Sequence, residues 1–254
     1  RQYPEPAFWR APVDNDFGNK MPTLAGVWRT AHVNRYVKKV TIGEKNEKGL
    51  SVRVDWVLSD IQVPYMMEYL IRDNGTIIVT GSIDLTGTKL PELPRFGMRM
   101  ELHQPYENLT YYGRGPLENY IDRYSSSFIG RYENKVENQF YWYIRPQETG
   151  NKTDVRWLTL LDSEGQGVRI TGLQPVAFSA LHFSPEDLDP GLTRKLQHTI
   201  DIVPQKNIFL HVDLRQRGLG GDNSWGMYPH NEYRLLDKKY TYSYMIELVE
   251  KGSD

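Results

Sequence analysis

Asp213-Leu214-Arg215-Gln216-Arg217-Gly218-Leu219-Gly220-Gly221-Asp222-Asn223-Ser224-Trp225 ends a run of alternating side chains and opens a loop. Just upstream, Ile208, Leu210, Val212 and Leu214 share one face, and Phe209, His211 and Asp213 share the other. A period of two is that of a β-strand, here with the Ile208 face on a core and the His211 face exposed. Gly218, Gly220 and Gly221 then break the strand. Glycine adopts positive φ without steric cost and lets the backbone run close to another surface, so a tight irregular loop is expected. It finishes on Asp222, Asn223, Ser224 and Trp225. An indole on a polar loop suits a sugar, whose apolar ring face stacks on the aromatic while carboxylate and amide groups take its hydroxyls. The commoner arrangement of such residues is structural, with Trp225 plugging the end of a β-sandwich and the glycines only turning the chain.

The same period recurs outward from this stretch. Leu50, Val52, Val54, Trp56 and Leu58 alternate with Ser51, Arg53, Asp55 and Val57. Residues 66–72 and 76–85 flank Asp73-Asn74-Gly75, and Asn-Gly between alternating runs is a strong hairpin signal. Phe96, Met98, Met100 and Leu102 mark a half-buried strand, and residues 155–161 and 168–171 a hairpin around 162–167. Residues 195–203, 208–214 and 240–249 complete the set, the last with an apolar face of Tyr240, Tyr242, Tyr244, Ile246 and Leu248. Helix is scarce. Ser184-Pro185-Glu186-Asp187-Leu188 has a capping residue before a first-turn proline, enough for one turn. The opening residues 1–30 read as irregular, with 19–26 a mobile connection after Gly18. The fold class is therefore all-β: a large antiparallel sandwich of two sheets in a single domain spanning residues 1–254.

Composition narrows the chemistry. A net charge of −1 gives no basic excess for nucleic acid or an anionic membrane. No apolar run approaches the ~20 residues of a membrane span. With no cysteine, disulfides, thiolate nucleophiles and cysteine-ligated zinc are excluded. The 17 tyrosines and 6 tryptophans fit both β structure and carbohydrate contact. The chain begins at Arg1 and reads as a segment of something longer, which leaves its targeting open.

Three polar blocks remain. Asp14-Asn15-Asp16 forms either a solvated turn or a cluster for a cation or sugar hydroxyls. Tyr112-Gly113-Arg114-Gly115-Pro116, with Glu118, Asn119, Tyr120, Asp122 and Arg123, reads as a loop in which Arg114 and Arg123 pair with Glu118 and Asp122 as scaffold. Pro146-Gln147-Glu148-Thr149-Gly150-Asn151 is the third. A glycosidase needs two carboxylates about 5 to 10 Å apart, for which Glu118, Glu148, Asp213 and Asp222 are the candidates. An epimerase needs an acid and a base beside the sugar. The histidines, His32, His103, His182, His198, His211 and His230, show no metal spacing and read as surface or packing residues.

Taken in order, four motifs resemble the C-terminal, small-chain domain of LacZ-type family 2 β-galactosidases. They are Phe8-Trp9-Arg10-Ala11-Pro12-x-Asp14-Asn15-Asp16-x-Gly18, the Tyr112–Arg123 block, Pro146-Gln147-Glu148-x-Gly150, and Gly220-Gly221-Asp222-x-Ser224-Trp225. The resemblance covers essentially the whole chain. It implies a supersandwich similar to galactose mutarotase, and an enzyme that hydrolyses terminal β-D-galactosides such as lactose with retention. The catalytic glutamates and the magnesium site of that family lie on a preceding TIM barrel that these residues do not include, so no catalytic residue is expected here. The resemblance makes Trp225 an aromatic platform for substrate, with Asp222 and Ser224 beside it, and Gly18 the start of a mobile loop over 18–26. It leaves Arg114, Glu118, Asn119, Asp122, Arg123 and Glu148 as scaffold. It also implies a monovalent-cation site near the carbonyls of Arg145-Pro146, a galactoside substrate, contact with the preceding barrel, and a homo-oligomer when full length. Two rivals remain: an aldose 1-epimerase on the same kind of fold, and a free-standing carbohydrate-binding module.

Overall fold

The computed structural model describes residues 2–192, 197–223 and 225–252. Twelve strands form one antiparallel sheet: β1 (Gln2–Ala7), β2 (Arg35–Ile42), β3 (Leu50–Leu58), β4 (Val63–Ile71), β5 (Ile77–Asp84), β6 (Arg95–Leu102), β7 (Asn108–Gly115), β8 (Phe128–Lys135), β9 (Lys152–Leu161), β10 (Gly167–Leu181), β11 (Ile208–Gln216) and β12 (Lys239–Val249). Among the described residues helix is confined to single turns: α1 (Asp14–Gly18), α2 (Met21–Leu24), α3 (Pro185–Leu188) and a few 3-10 turns.

The two layers are branches of this one sheet, and β10 is the fork. Its first half, Gly167 to Gly172, pairs with β12, and its second half, Ala177 to Leu181, pairs with β11. β9 runs along its other edge and leads to β7 and β8. From the fork, β12-β5-β4-β3-β2 forms one layer and β11-β6-β1 the other. Aromatic side chains fill the space between them. Phe96 of β6 lies 5.3 Å from the Tyr240 ring and 5.7 Å from the Tyr242 ring, both on β12. The Tyr242 hydroxyl crosses the gap and donates to the Val212 carbonyl of β11 at 2.7 Å. Phe8 adds its ring against Trp28, Tyr65 and Phe96, so the opening segment is built into the core. Beyond the overlap of the layers, Val52, Trp56, Tyr69, Ile77 and Ile246 line an open apolar groove of about 530 Å³.

Several expectations change. The 73–75 and 162–167 hairpins and the Ser184-capped turn stand as read. The opening 30 residues are not irregular: they hold β1, α1, α2 and a 3-10 turn, with Met21, Ala25 and Trp28 buried. The Tyr112–Gly115 stretch is strand, not loop, because it closes β7 against β8 and β9. A Cβ on Gly113 would stand 2.6 Å from Val155 Cγ2 and 2.9 Å from Val155 Cα. The glycine here serves close strand approach rather than a turn. The strand expected over 195–203 is absent from its described part, 197–203, where Thr199–Asp201 forms a 3-10 turn; residues 195 and 196 lie outside the described residues. The His211 face of β11 is not exposed: His211 and Asp213 are buried, beneath Glu148 and Arg95. No helix of the described residues is long and apolar enough to cross a membrane.

Candidate functional site

Where β11 ends, the glycine loop meets α1. Asp16 is fully buried in α1. Its carboxylate accepts both terminal nitrogens of Arg10 at 2.5 and 3.0 Å and Nη1 of Arg217 at 2.8 Å. Arg217 also reaches Glu92, which accepts from Arg234 as well. Arg10 and Asn15 in turn donate to the carbonyls of Gly218 and Leu219 at 3.3 and 3.1 Å. The Asp14-Asn15-Asp16 cluster is thus a fastening of the loop rather than a solvated turn.

The loop's glycines are required by contact, since none of Gly218, Gly220 and Gly221 is in the positive-φ region. Asp122 Oδ2 accepts from the Gly220 amide at 2.7 Å, and a Cβ on Gly218 would lie 2.7 Å from that same oxygen. Asp122 therefore pairs with backbone, not with an arginine. Past the glycines, Asp222 meets His230 at 2.8 Å and Asn223 caps the Trp225 amide at 2.9 Å. The hydrogen bond that the His230 ring donates to the Asp222 carboxylate raises the His230 pKa above its ordinary value. Trp225 is 92% exposed, which excludes its role as a plug. Gly226 follows at φ 136°, where an added Cβ would lie 3.2 Å from the Gly18 carbonyl oxygen. Trp225 and Gly18 accordingly share one rim. Ser224 lies outside the described residues.

The scaffold candidates occupy distinct positions. Glu118 accepts from Arg123, Thr149 and the Gly150 amide at 2.6, 3.0 and 2.7 Å, and from the Tyr143 hydroxyl. Burial pushes its pKa up, but these donors outweigh it and hold the carboxyl below its usual range. Asn119 is buried, donating to the Arg114 and Leu117 carbonyls and accepting from Thr153. Arg114 does not pair with the acids of its own block; its Nε donates to Asp154 at 2.5 Å. Glu148 takes two bonds from Arg95 Nη2 at 3.0 and 3.1 Å. Arg95 Nε stands 3.2 Å from Asp213 out of hydrogen-bond alignment, and both Asp213 oxygens lack a hydrogen-bond partner. Burial pushes the Asp213 carboxyl up to about 7. Burial, with Arg95 beside it, drives His211 well below its usual value.

Of the four carboxylates considered for hydrolysis, Glu148 and Asp213 converge, but on Arg95 inside the protein. Asp222 is exposed with His230, and Glu118 belongs to a separate ring of donors. His211 and Asp213, 4.0 Å apart, are the His–carboxylate pair an epimerase would want, yet they are 4% and 0% exposed. No group of three or more acidic or histidine side chains among the described residues is arranged to hold a metal ion.

Sequence reading did not foresee the open hollow of about 640 Å³ beside the glycine loop. It is lined by Asp14 and Asn15 of α1, by Asp122 and Arg123, by Tyr143, Ile144, Arg145 and Gln147, and by Leu219 and Gly220. Only tertiary contact brings these four segments together; the Tyr141-Trp142-Tyr143 run was the one local signal. On its far side a space of about 20 Å³, room for a single water-sized occupant, lies between Asp14, Phe17, Arg145, Pro146 and Gln147.

A buried ion-pair scaffold thus presents an exposed aromatic on a fastened polar loop, and among the described residues the four candidate carboxylates form no accessible pair. Residues 2–246 match the family model described as "Beta galactosidase small chain". The chain belongs to that β-galactosidase small-chain family. It is 34% identical to the β-galactosidase of Priestia megaterium, over 95% of this chain and 23% of that protein. It is 34% identical to the β-galactosidase of Streptococcus thermophilus, over 96% of this chain and 23% of that protein. The chain thus spans less than a quarter of the curated relatives it matches. Among solved structures, a galactose mutarotase related enzyme from Lactobacillus acidophilus aligns at a TM-score of 0.41 and 7% identity, covering 85% of this chain and 73% of that one.

Proposed function

We propose that this chain is the C-terminal, non-catalytic part of a retaining β-galactosidase of glycoside hydrolase family 2. There it forms an end wall of the pocket for lactose and related β-D-galactosides. Trp225 is the platform on which sugar stacks, Asp222 and Ser224 take part in binding its hydroxyls, and the segment from Gly18 to residue 26 moves against the bound substrate. The observation that carries this reading is the 92% exposure of Trp225 on a loop fastened from below and touching Gly18. Such exposure of an indole is costly unless something apolar covers it.

The catalytic acid and nucleophile belong to the barrel preceding this chain in the same polypeptide, which also holds the magnesium. The assembled enzyme is a homo-oligomer. The monovalent cation sits by Arg145 and Pro146, where the backbone carbonyls bordering the small space are oxygen donors suited to a hard ion. When bound, it contributes positive charge near the substrate wall.

In the full-length enzyme, Trp225→Ala should raise KM for lactose by about 5- to 100-fold, the value of ~1–3 kcal/mol for one stacked ring. Trp225→Phe should recover most of it. An unchanged KM in Trp225→Ala would sink the platform. The 254-residue chain alone should release no nitrophenol from a nitrophenyl galactoside, because glycosyl transfer needs the barrel's two carboxylates. Steady release would point instead to a complete active site within this chain.

A further inference from the structure

We infer that the hollow between α1, Asp122-Arg123, Tyr143–Gln147 and the glycine loop is a second saccharide subsite. It would hold the sugar that follows the one stacked on Trp225 in a β-galactoside of three or more units. The inference rests on the platform reading and extends it from one sugar to the next.

Three observations carry it. The first is charge. Asp14, Asp122, Arg123 and Arg145 all line the hollow, two carboxylates with two guanidinium groups. A lining that balances to zero while remaining rich in donors and acceptors selects a neutral polyhydroxyl ligand over an anion or a cation. The second is preorganisation. Glu118 fixes Arg123 and Tyr143 from behind, and Asp122 and Asn15 fix the backbone of Gly220 and Leu219. A wall already held in place loses little freedom when a ligand arrives. The third is unused hydrogen-bonding capacity. Asp122 Oδ1 has no partner although Oδ2 is engaged, and the half-buried Gln147 amide makes no hydrogen bond among the described residues. The volume of about 640 Å³ lies within the ~300–1,000 Å³ of small-molecule sites. Gly220 lines the hollow and Trp225 stands five residues on in the same loop, so the chain holds platform and hollow within ~18 Å of each other.

The test compares substrates of increasing length on the full-length enzyme: a nitrophenyl galactoside, lactose, and a galactosyl-lactose trisaccharide. The readout is the ratio of kcat/KM for the trisaccharide to that for the nitrophenyl galactoside. Gln147→Ala should lower this ratio ~3- to 10-fold, the value of one or two hydrogen bonds to sugar hydroxyls. Ile144→Trp should lower it further, because Ile144 is 80% exposed on the hollow and a larger side chain there occupies the space without disturbing the core. A ratio unchanged in both variants, or both substrates falling together, overturns the subsite. Trp225→Ala, run alongside, separates the two readings. If it raises KM for lactose while the Gln147 and Ile144 variants leave the ratio alone, only the second subsite fails. If it leaves lactose untouched, the platform fails whatever the ratio does.

Discussion

Arg95 stands between two buried carboxylates and can satisfy only one of them. Glu148 takes both hydrogen bonds from Nη2, so Asp213 is left with an ion-pair distance and no aligned donor. Burial therefore raises the Asp213 carboxyl to about 7, with Arg95 opposing the rise and Glu148 adding to it. In the unfolded chain an aspartate ionises near 3.9. A raised native pKa means the folded state holds its proton longer, so this group's stabilising contribution is complete below about 4 and is lost as pH rises toward 7. Thermal unfolding should show a melting temperature that declines between about pH 4 and about pH 7, and Asp213→Asn should flatten that decline. A slope unchanged in the variant would mean Asp213 is ionised throughout. Glu118 shows the opposite balance. It accepts four donors, and Glu118→Gln should cost about 2 kcal/mol by placing an amide N–H against groups that all donate. Calorimetry would check it. At this scale the sequence indicated one partner, Arg123 with Glu118, and missed others. Arg114 was read as the partner of Glu118 or Asp122 and donates to Asp154, forty positions away. Asp122 was read as an arginine's partner and accepts from Gly220. Partner choice follows strand register, which local spacing does not encode.

Among the elements, β7 shows why periodicity has limits. Its sequence Asn108-Leu109-Thr110-Tyr111-Tyr112-Gly113-Arg114-Gly115 carries two glycines that mimic turn signals. Gly113 serves instead to let β7 lie close to β9, where Val155 leaves no room for a Cβ, and Gly115 makes room for the rings of Tyr111 and Tyr132. Gly113→Ala should destabilise by about 2 kcal/mol through overpacking, lowering the melting temperature by about 4–8 °C. A neutral result in a thermal melt would show that β9 can shift outward. β4, β5 and β12 were legible because each keeps one face on the core and the alternation survives; β3 was legible from its sequence period although it is half-buried along most of its length. β11 was legible as a strand but not in its environment. Both its faces are covered, one by the opposing layer and the other by the Arg95–Glu148 pair, so polar His211 and Asp213 are buried. The long β10 was seen only in its first hairpin half. Its remaining length is set by the need to serve two layers in turn, β12 and then β11.

Across the whole molecule, one buried ion network joins segments far apart in sequence. Asp16 and Glu92 between them serve Arg10, Arg217 and Arg234. The Tyr228 ring lies 5.4 Å from the Arg217 guanidinium and 4.8 Å from that of Arg234. Asp16→Asn would leave Arg10 and Arg217 buried without their shared countercharge. The expected loss is about 3–5 kcal/mol, visible as a large fall in melting temperature, because an uncompensated interior charge costs more than the pair contributes. A loss below about 1 kcal/mol would mean that water reaches the site. The sequence by itself determined an antiparallel β protein, its main hairpins, its near absence of helix and, through four ordered motifs, its family. These are properties of local periodicity, turn chemistry and residue identity, all of which survive in one dimension. Tertiary structure alone decided that the two layers are branches forking at β10, that His211 and Asp213 are interior, that Trp225 is exposed rather than a plug, and that four separated segments enclose a polar hollow. Each of these depends on which surfaces meet, and that is settled by long-range packing of the folded sheet, where burial of aromatic faces outweighs the preference of any single residue for water.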